Sequence, residues 1–155
     1  MRLPTKTEYA LRALYDMAFH CGGGQAQAKE IADRQAIPIR YLEQILQDLR
    51  RAGIIDAQRG PRGGYMLARP PTAITVGHIV RALEGAGVRP LPDAAGPSAP
   101  VPPDSAAPDV PALLCDELAA KMTAVLDEST LQDFVDRAEA VGLQRAAAVQ
   151  LMYFI

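Results

Sequence analysis

Arg40, Tyr41, Glu43 and Gln44 alternate with Leu42, Ile45, Leu46 and Leu49 in the rhythm of an amphipathic helix. The apolar set falls at i, i+3, i+4 and i+7, one buried stripe, and Gln47 and Arg51 join the polar side. Such side chains match the hydrogen-bonding code of a DNA major groove: arginine to guanine O6 and N7, glutamine to adenine, and glutamate accepting from cytosine N4. A second cluster follows at Arg59-Gly60-Pro61-Arg62-Gly63. Its small residues let a backbone approach phosphates, and an arginine there can enter a narrow minor groove. An amphipathic helix with a solvated face, followed by a turn glycine-rich for geometry alone, would give the same pattern. The residue types do not separate the two.

Other chemistries find less support. Cys21 closes an apolar stripe, which suits a small core residue, and Cys115 opens one that continues through Leu118, Met122 and Leu126. Either thiol is a redox candidate, and Cys115 is the better one because a two-fold axis could bring it to its own copy. His20 and His78 have no metal-ligand partner at i+3 or i+4. The glycines at 22–24 follow a helical pattern rather than a strand, the wrong setting for a nucleotide fingerprint. No nucleophile motif or carboxylate pair is evident, so the expectation is a protein that is not an enzyme and carries no metal.

The elements that must position these residues can be read outward from them. Thr5-x-x-Glu8 has the form of a capping box and predicts a first helix to about Cys21, ended by Gly22-Gly23-Gly24. A short helix over 28–34 presents Ile31 and Ala32 inward. Ala36-Ile37-Pro38 then turns into the third helix, about 39–52, stopped by Gly53. Two β-favouring runs, 54–59 and 65–68, flank the Gly/Pro/Arg cluster and predict a hairpin. Thr75 is placed to cap a fourth helix with Val76, Ile79, Val80 and Leu83 inward. Between Pro90 and Pro111 lie 8 of the 13 prolines, so an exposed loop is expected over 85–112. A helix resumes near Leu113 with Leu114, Leu118, Met122 and Val125 on one stripe, and Ser129-Thr130 cap another from 131 to about 141. Residues 146–155 are apolar enough for a docked helix.

Composition agrees with this outline. The chain has 155 residues, 49% hydrophobic, which suffices for a core built on aliphatic side chains because tryptophan is absent. No apolar run approaches the roughly 18 to 20 residues that span a bilayer. Glu8 and Asp16 interrupt the first apolar stretch, and no small-residue cleavage site follows, so no signal peptide is expected. Two distant cysteines make no disulfide framework, and a cytoplasmic location is predicted. Residues 1–84 carry 12 Lys and Arg against 8 Asp and Glu, whereas 85–155 carry 4 against 10, so a polyanion would meet the first part.

Helix-turn-helix followed by a hairpin is the plan of a winged helix. On three stretches, MRLPTKTEYALRAL, AKEIADRQAIPIRYLEQILQDLRRAGII and RGPRGGYMLA, the chain resembles the IscR/NsrR/CymR family of bacterial regulators, with a weaker echo at TLQDFV. The resemblance is dense over 1–84. It implies a cytoplasmic homodimer whose C-terminal helices cross, each subunit binding half of a two-fold operator. It places recognition-helix contacts on Arg40, Tyr41, Glu43 and Gln44, and wing contacts on Arg59, Gly60, Pro61, Arg62 and Gly63. Family members with an iron–sulfur cluster hold it with three closely spaced cysteines in the loop after the fourth helix, and 85–112 contains no cysteine. The expectation is therefore a member without that cofactor.

The architecture expected is mostly α with a small β wing: a winged helix-turn-helix over 1–84, a loop over 85–112, and dimerisation helices with an apolar tail over 113–155. The function expected is a DNA-binding transcriptional regulator, a repressor, answering to an unidentified effector or partner protein. Two alternatives stay open, a winged-helix module that binds protein and a thiol-based redox regulator using Cys115.

Overall fold

A computed structural model describes residues 3–22, 24–60, 63–84 and 110–146. Six helices and one hairpin follow the expected order: α1 (Thr5–Cys21), α2 (Ala28–Gln35), α3 (Ile39–Arg51), β1 (Ile55–Gln58), β2 (Gly64–Leu67), α4 (Val76–Glu84), α5 (Val110–Glu128) and α6 (Leu131–Ala140). A 3-10 turn, Pro71–Ala73, leads into α4. The architecture is thus mostly α with a two-stranded wing.

α1 is the centre of the molecule, packing against α2, α3, α4 and α6. Its Ala10, Ala13, Leu14, Met17 and Phe19 are buried against Ile31 of α2, Leu42, Ile45, Leu46 and Leu49 of α3, Ile79 of α4, and Leu131 and Val135 of α6. The alanines let the neighbouring helices approach closely, and the aliphatic stripes contribute about 2 kcal/mol for each large side chain removed from water.

The start of α1 differs from the expected capping box. Pro4 occupies the cap position with no side-chain hydrogen bond, so Thr5 already lies inside the helix. Glu8 donates its backbone N–H to the Pro4 carbonyl (3.0 Å), and its carboxylate turns forward to Arg12 (2.6 Å). The other caps follow the sequence. Gly22 ends α1 in the left-handed region, and Thr130 and Asp133 form a reciprocal capping box on α6. The Thr75 hydroxyl accepts from the backbone N–H of His78, while His78 Nδ1 accepts from that of Thr75 (3.1 and 3.2 Å).

Between α1 and α2 the chain carries an ion pair whose acidic member is buried. Asp16 is fully buried and accepts from Arg34 Nε and Nη2 and from Gln35 Nε2, at 2.7 to 3.1 Å. This fixes the first helix of the helix-turn-helix against the core. The turn itself needs Ala36 in the left-handed region (φ 52°), with its N–H returned to Ala32.

α5 begins earlier than expected. Pro111 stands in its first turn, where a missing N–H is tolerated, so proline does not hold the helix back to Leu113. The helix packs on α4, and Gly77 permits that approach, since a Cβ there would collide with Asp127. Asp127 accepts from Arg81 (2.8 and 3.1 Å) and from Thr75 Oγ1 (3.1 Å), and these bonds, Arg81 foremost, hold its carboxyl below the usual range. The return to α6 is clamped at one place: Val76 donates to Ser129 and Leu131 to Ile74, each at 2.8 Å, around a Thr75–Thr130 bridge. The expected loop lies outside the described residues as far as 109, as does the apolar tail from 147.

Candidate nucleic-acid interface

α3 turns one face away from the core. Leu42, Ile45, Leu46 and Leu49 are completely buried, which leaves the helix one rotational setting. Arg40, Glu43, Gln44 and Gln47 are then exposed together, at i, i+3, i+4 and i+7. None of their side chains makes a hydrogen bond or ion pair among the described residues. Ile39, in the first turn of α3, is exposed as well.

Tyr41 differs from its polar neighbours. It is half-buried and meets Tyr9 of α1 edge to face, with ring centroids 5.7 Å apart at 76°. The Arg12 guanidinium lies 6.0 Å from the Tyr9 centroid, and Lys6 binds Asp48 further along α3 (2.8 Å). The N-terminal part of α1 thus braces α3 along its length. Tyr9, Lys6 and Asp48 were not singled out in the sequence, because such contacts join segments about 30 to 40 residues apart and leave no local period.

The wing is a short antiparallel ladder in the register Ile55–Leu67, Asp56–Met66, Ala57–Tyr65 and Gln58–Gly64. Its tip turns at Gly60 (φ 119°), a conformation that L side chains rarely adopt, and Gly63 donates to the Gly60 carbonyl (2.8 Å). A Cβ at Gly63 would run into the Gln58 carbonyl. Arg59 is exposed beside this turn, while Pro61 and Arg62 lie outside the described residues. The ladder is not free-standing: Ala26, between α1 and α2, exchanges both backbone hydrogen bonds with Tyr65 (2.8 Å each), and Gln25 bonds Gln58. Gly64 is needed at that junction, since a Cβ would come 2.7 Å from the Ala26 carbonyl. Exposed α3 and the wing tip are therefore two surfaces of one braced unit.

The thiols are separate from this face. Cys21, at the end of α1, is half-buried, and burial pushes its thiol up despite the opposing charge of Arg34. Cys115 is exposed on α5. Among the described residues no three His, Cys, Asp or Glu side chains gather as a metal site. With two cysteines in the whole chain, and none within 85–112, the donors do not fit a cluster held by three closely spaced cysteines.

Comparison with known proteins agrees with the geometry. Residues 3–137 match a family described as Rrf2, iron-dependent transcriptional regulator. A protein of Synechocystis sp. named as an HTH-type transcriptional regulator is 52% identical over 84 residues, 54% of this chain and 57% of that protein. The chain thus spans little more than half the length of that relative. Among solved structures, IscR of T. potens superposes with a TM-score of 0.71 at 34% identity over 94% of each chain. CymR of B. subtilis, the global cysteine regulator of that organism, gives 0.67 at 32% identity over 88% of this chain and 98% of its own.

Proposed function

The chain belongs to the Rrf2 family of transcriptional regulators, and we propose that it binds a two-fold operator in duplex DNA as a cytoplasmic homodimer and represses transcription there. The carrying observation is the outward face of α3: Arg40, Glu43 and Gln44 stand exposed, without a side-chain partner among the described residues, on a helix whose opposite side is fully locked into the core. Groups held this way meet base edges without first breaking internal bonds. Tyr41, half-buried against Tyr9, adds the open part of its ring to the same DNA-facing surface. Arg59, Gly60, Pro61, Arg62 and Gly63 serve the adjacent backbone and minor groove.

Dimerisation is assigned to residues 113–155. Leu113, Leu114, Leu118 and Val125 of α5 are each more than half exposed, an apolar surface that a second copy would cover. Paired subunits then present two recognition helices roughly 34 Å apart, one turn of DNA. Residues 1–84 form the DNA-binding unit. An apolar patch on the outer face of α3 would favour a protein ligand; the polar stripe favours DNA. No catalytic role is assigned, and the cysteine content supports a member without an iron–sulfur cluster.

Selecting bound fragments from genomic DNA tests this reading. A recovered motif with two-fold symmetry and half-sites one turn apart is expected, with a dimer in solution. Recovery of no sequence preference would overturn it.

A further inference from the structure

α5 meets the rest of the described residues near one end. Leu113 to Leu118 are exposed throughout, and the partly covered positions of the helix begin at Ala119 and continue at Met122 and Leu126. The face it packs on belongs to α4. A helix held near one end is a lever. At 19 residues α5 is about 28 Å long, so a tilt of roughly 10° at its base carries its far end about 5 Å, more than the ~3.4 Å step between base pairs.

The base of that lever is one carboxylate. Asp127, in the last turn of α5, accepts from Arg81 Nη2 at 2.8 Å, from Arg81 Nη1 at 3.1 Å and from Thr75 Oγ1 at 3.1 Å. Paired bonds from a planar guanidinium fix direction as well as distance. Thr75 Oγ1 is itself held, accepting the backbone N–H of His78 (3.1 Å). Gly77 lies buried beneath the carboxylate, and a methyl there would take the place of Asp127 Oδ1 and come 2.8 Å from Cγ. α4 thus offers Asp127 a seat of definite shape, with donors at its edges and bare backbone between them. Arg81 is 35% and Asp127 40% exposed, and an ion pair so open to water contributes little to stability. The arrangement suits orientation rather than strength.

We propose that Asp127, seated on α4 by Arg81, Thr75 and the bare backbone of Gly77, is a positioning residue for DNA binding. It sets the angle between the DNA-facing unit and the helix assigned to dimerisation, and so the half-site spacing that the paired subunits accept. The inference rests on the dimeric operator reading and adds to it the residue that fixes its geometry.

The test selects fragments bound by the full chain from a DNA pool in which the spacing between half-sites is randomised. The parent should show one favoured spacing. Asp127→Ala should keep the same bases within each half-site, because α3 is untouched. Its preference for the favoured spacing over one a base pair longer should fall from roughly tenfold to about twofold. Lost stability alone would lower binding at every spacing equally and leave that ratio unchanged. Gly77→Ala, which displaces the carboxylate without removing a charge, should relax the ratio as well and add nothing when combined with Asp127→Ala. An unchanged ratio in Asp127→Ala, beside a parent with a sharp spacing preference, overturns this inference and leaves the operator reading standing. Additive effects of the two substitutions overturn it too. A parent that selects no two-fold motif removes the operator reading first, and the inference with it.

Discussion

Arg34 on α2 grips the fully buried carboxylate of Asp16 on α1 through both Nε and Nη2, the shortest contact being 2.7 Å. Removing one member of such a pair leaves a charge stranded away from water, which costs far more than the pair contributes. Arg34→Ala should therefore destabilise the protein by about 3 kcal/mol, read as a lower midpoint in urea. A loss under about 1 kcal/mol would mean that Gln35 alone satisfies Asp16.

At the wing, Arg59→Ala should weaken DNA binding and reduce the slope of log affinity against log salt by roughly 0.9, the release expected for one phosphate contact. The parallel Arg62→Ala variant should behave alike. Two variants matching the parent at every salt concentration would remove the wing from the DNA interface.

Glu43 calls for the opposite experiment. A carboxylate facing DNA is repelled by phosphates, so its value lies in rejecting wrong bases. Glu43→Ala should broaden base preference while leaving non-specific affinity equal or higher. An unchanged motif after selection with the variant contradicts that role.

His20 gives the fold a pH dependence of calculable sign. Its Nδ1 accepts the backbone N–H of Ala146 (2.7 Å), which requires an unprotonated nitrogen. Burial, aided by Arg34 and Arg145, lowers its pKa from 6.5, against the opposing pull of Asp16 at 3.9 Å. A lowered folded pKa stabilises the folded state above the unfolded value, and that stability is lost as pH falls through 6.5 toward the folded value. Thermal melts should show it between neutral and mildly acid pH, and His20→Gln should flatten the difference. A parent and variant with parallel profiles would rule the contact out as the cause.

Protein purified without oxygen from iron-replete cells should be colourless, with iron and acid-labile sulfide far below one per chain. The ground is chemical: the chain has only two thiols, on separate helices, and among the described residues no three potential ligands gather in one place. A brown preparation bleached by Cys115→Ser would reverse the assignment.

Much of this was legible in the sequence because it is local. The stripe from Leu42 to Leu49 sets both the helix and its outward face, and the break at Gly53 and the Gly60–Gly63 turn follow from backbone freedom. What could not be read joins distant segments. Asp16 looked like an interruption in an apolar run, whereas it is the buried partner of Arg34. Tyr41 gave no sign of its edge-to-face partner, because Tyr9 lies 32 residues earlier in the chain. His78 looked solitary, yet its ring completes the cap of α4. Thr5 met the pattern of a cap but lost the position to Pro4, which is already extended one residue earlier.

The clamp between Thr75 and Thr130 bears on how such chains vary. The stretch from α4 through α5 begins and ends at this one backbone bridge, with Val76 and Leu131 hydrogen-bonded across it. Closing a longer excursion costs only about 0.6 kcal/mol per doubling of its length. Residues can therefore be gained or lost between Glu84 and Val110 over generations without shifting α6 on α1 or the setting of α3. The outward setting of α3 is thus fixed by the core and by this one closure, whatever the length of chain between α4 and α5.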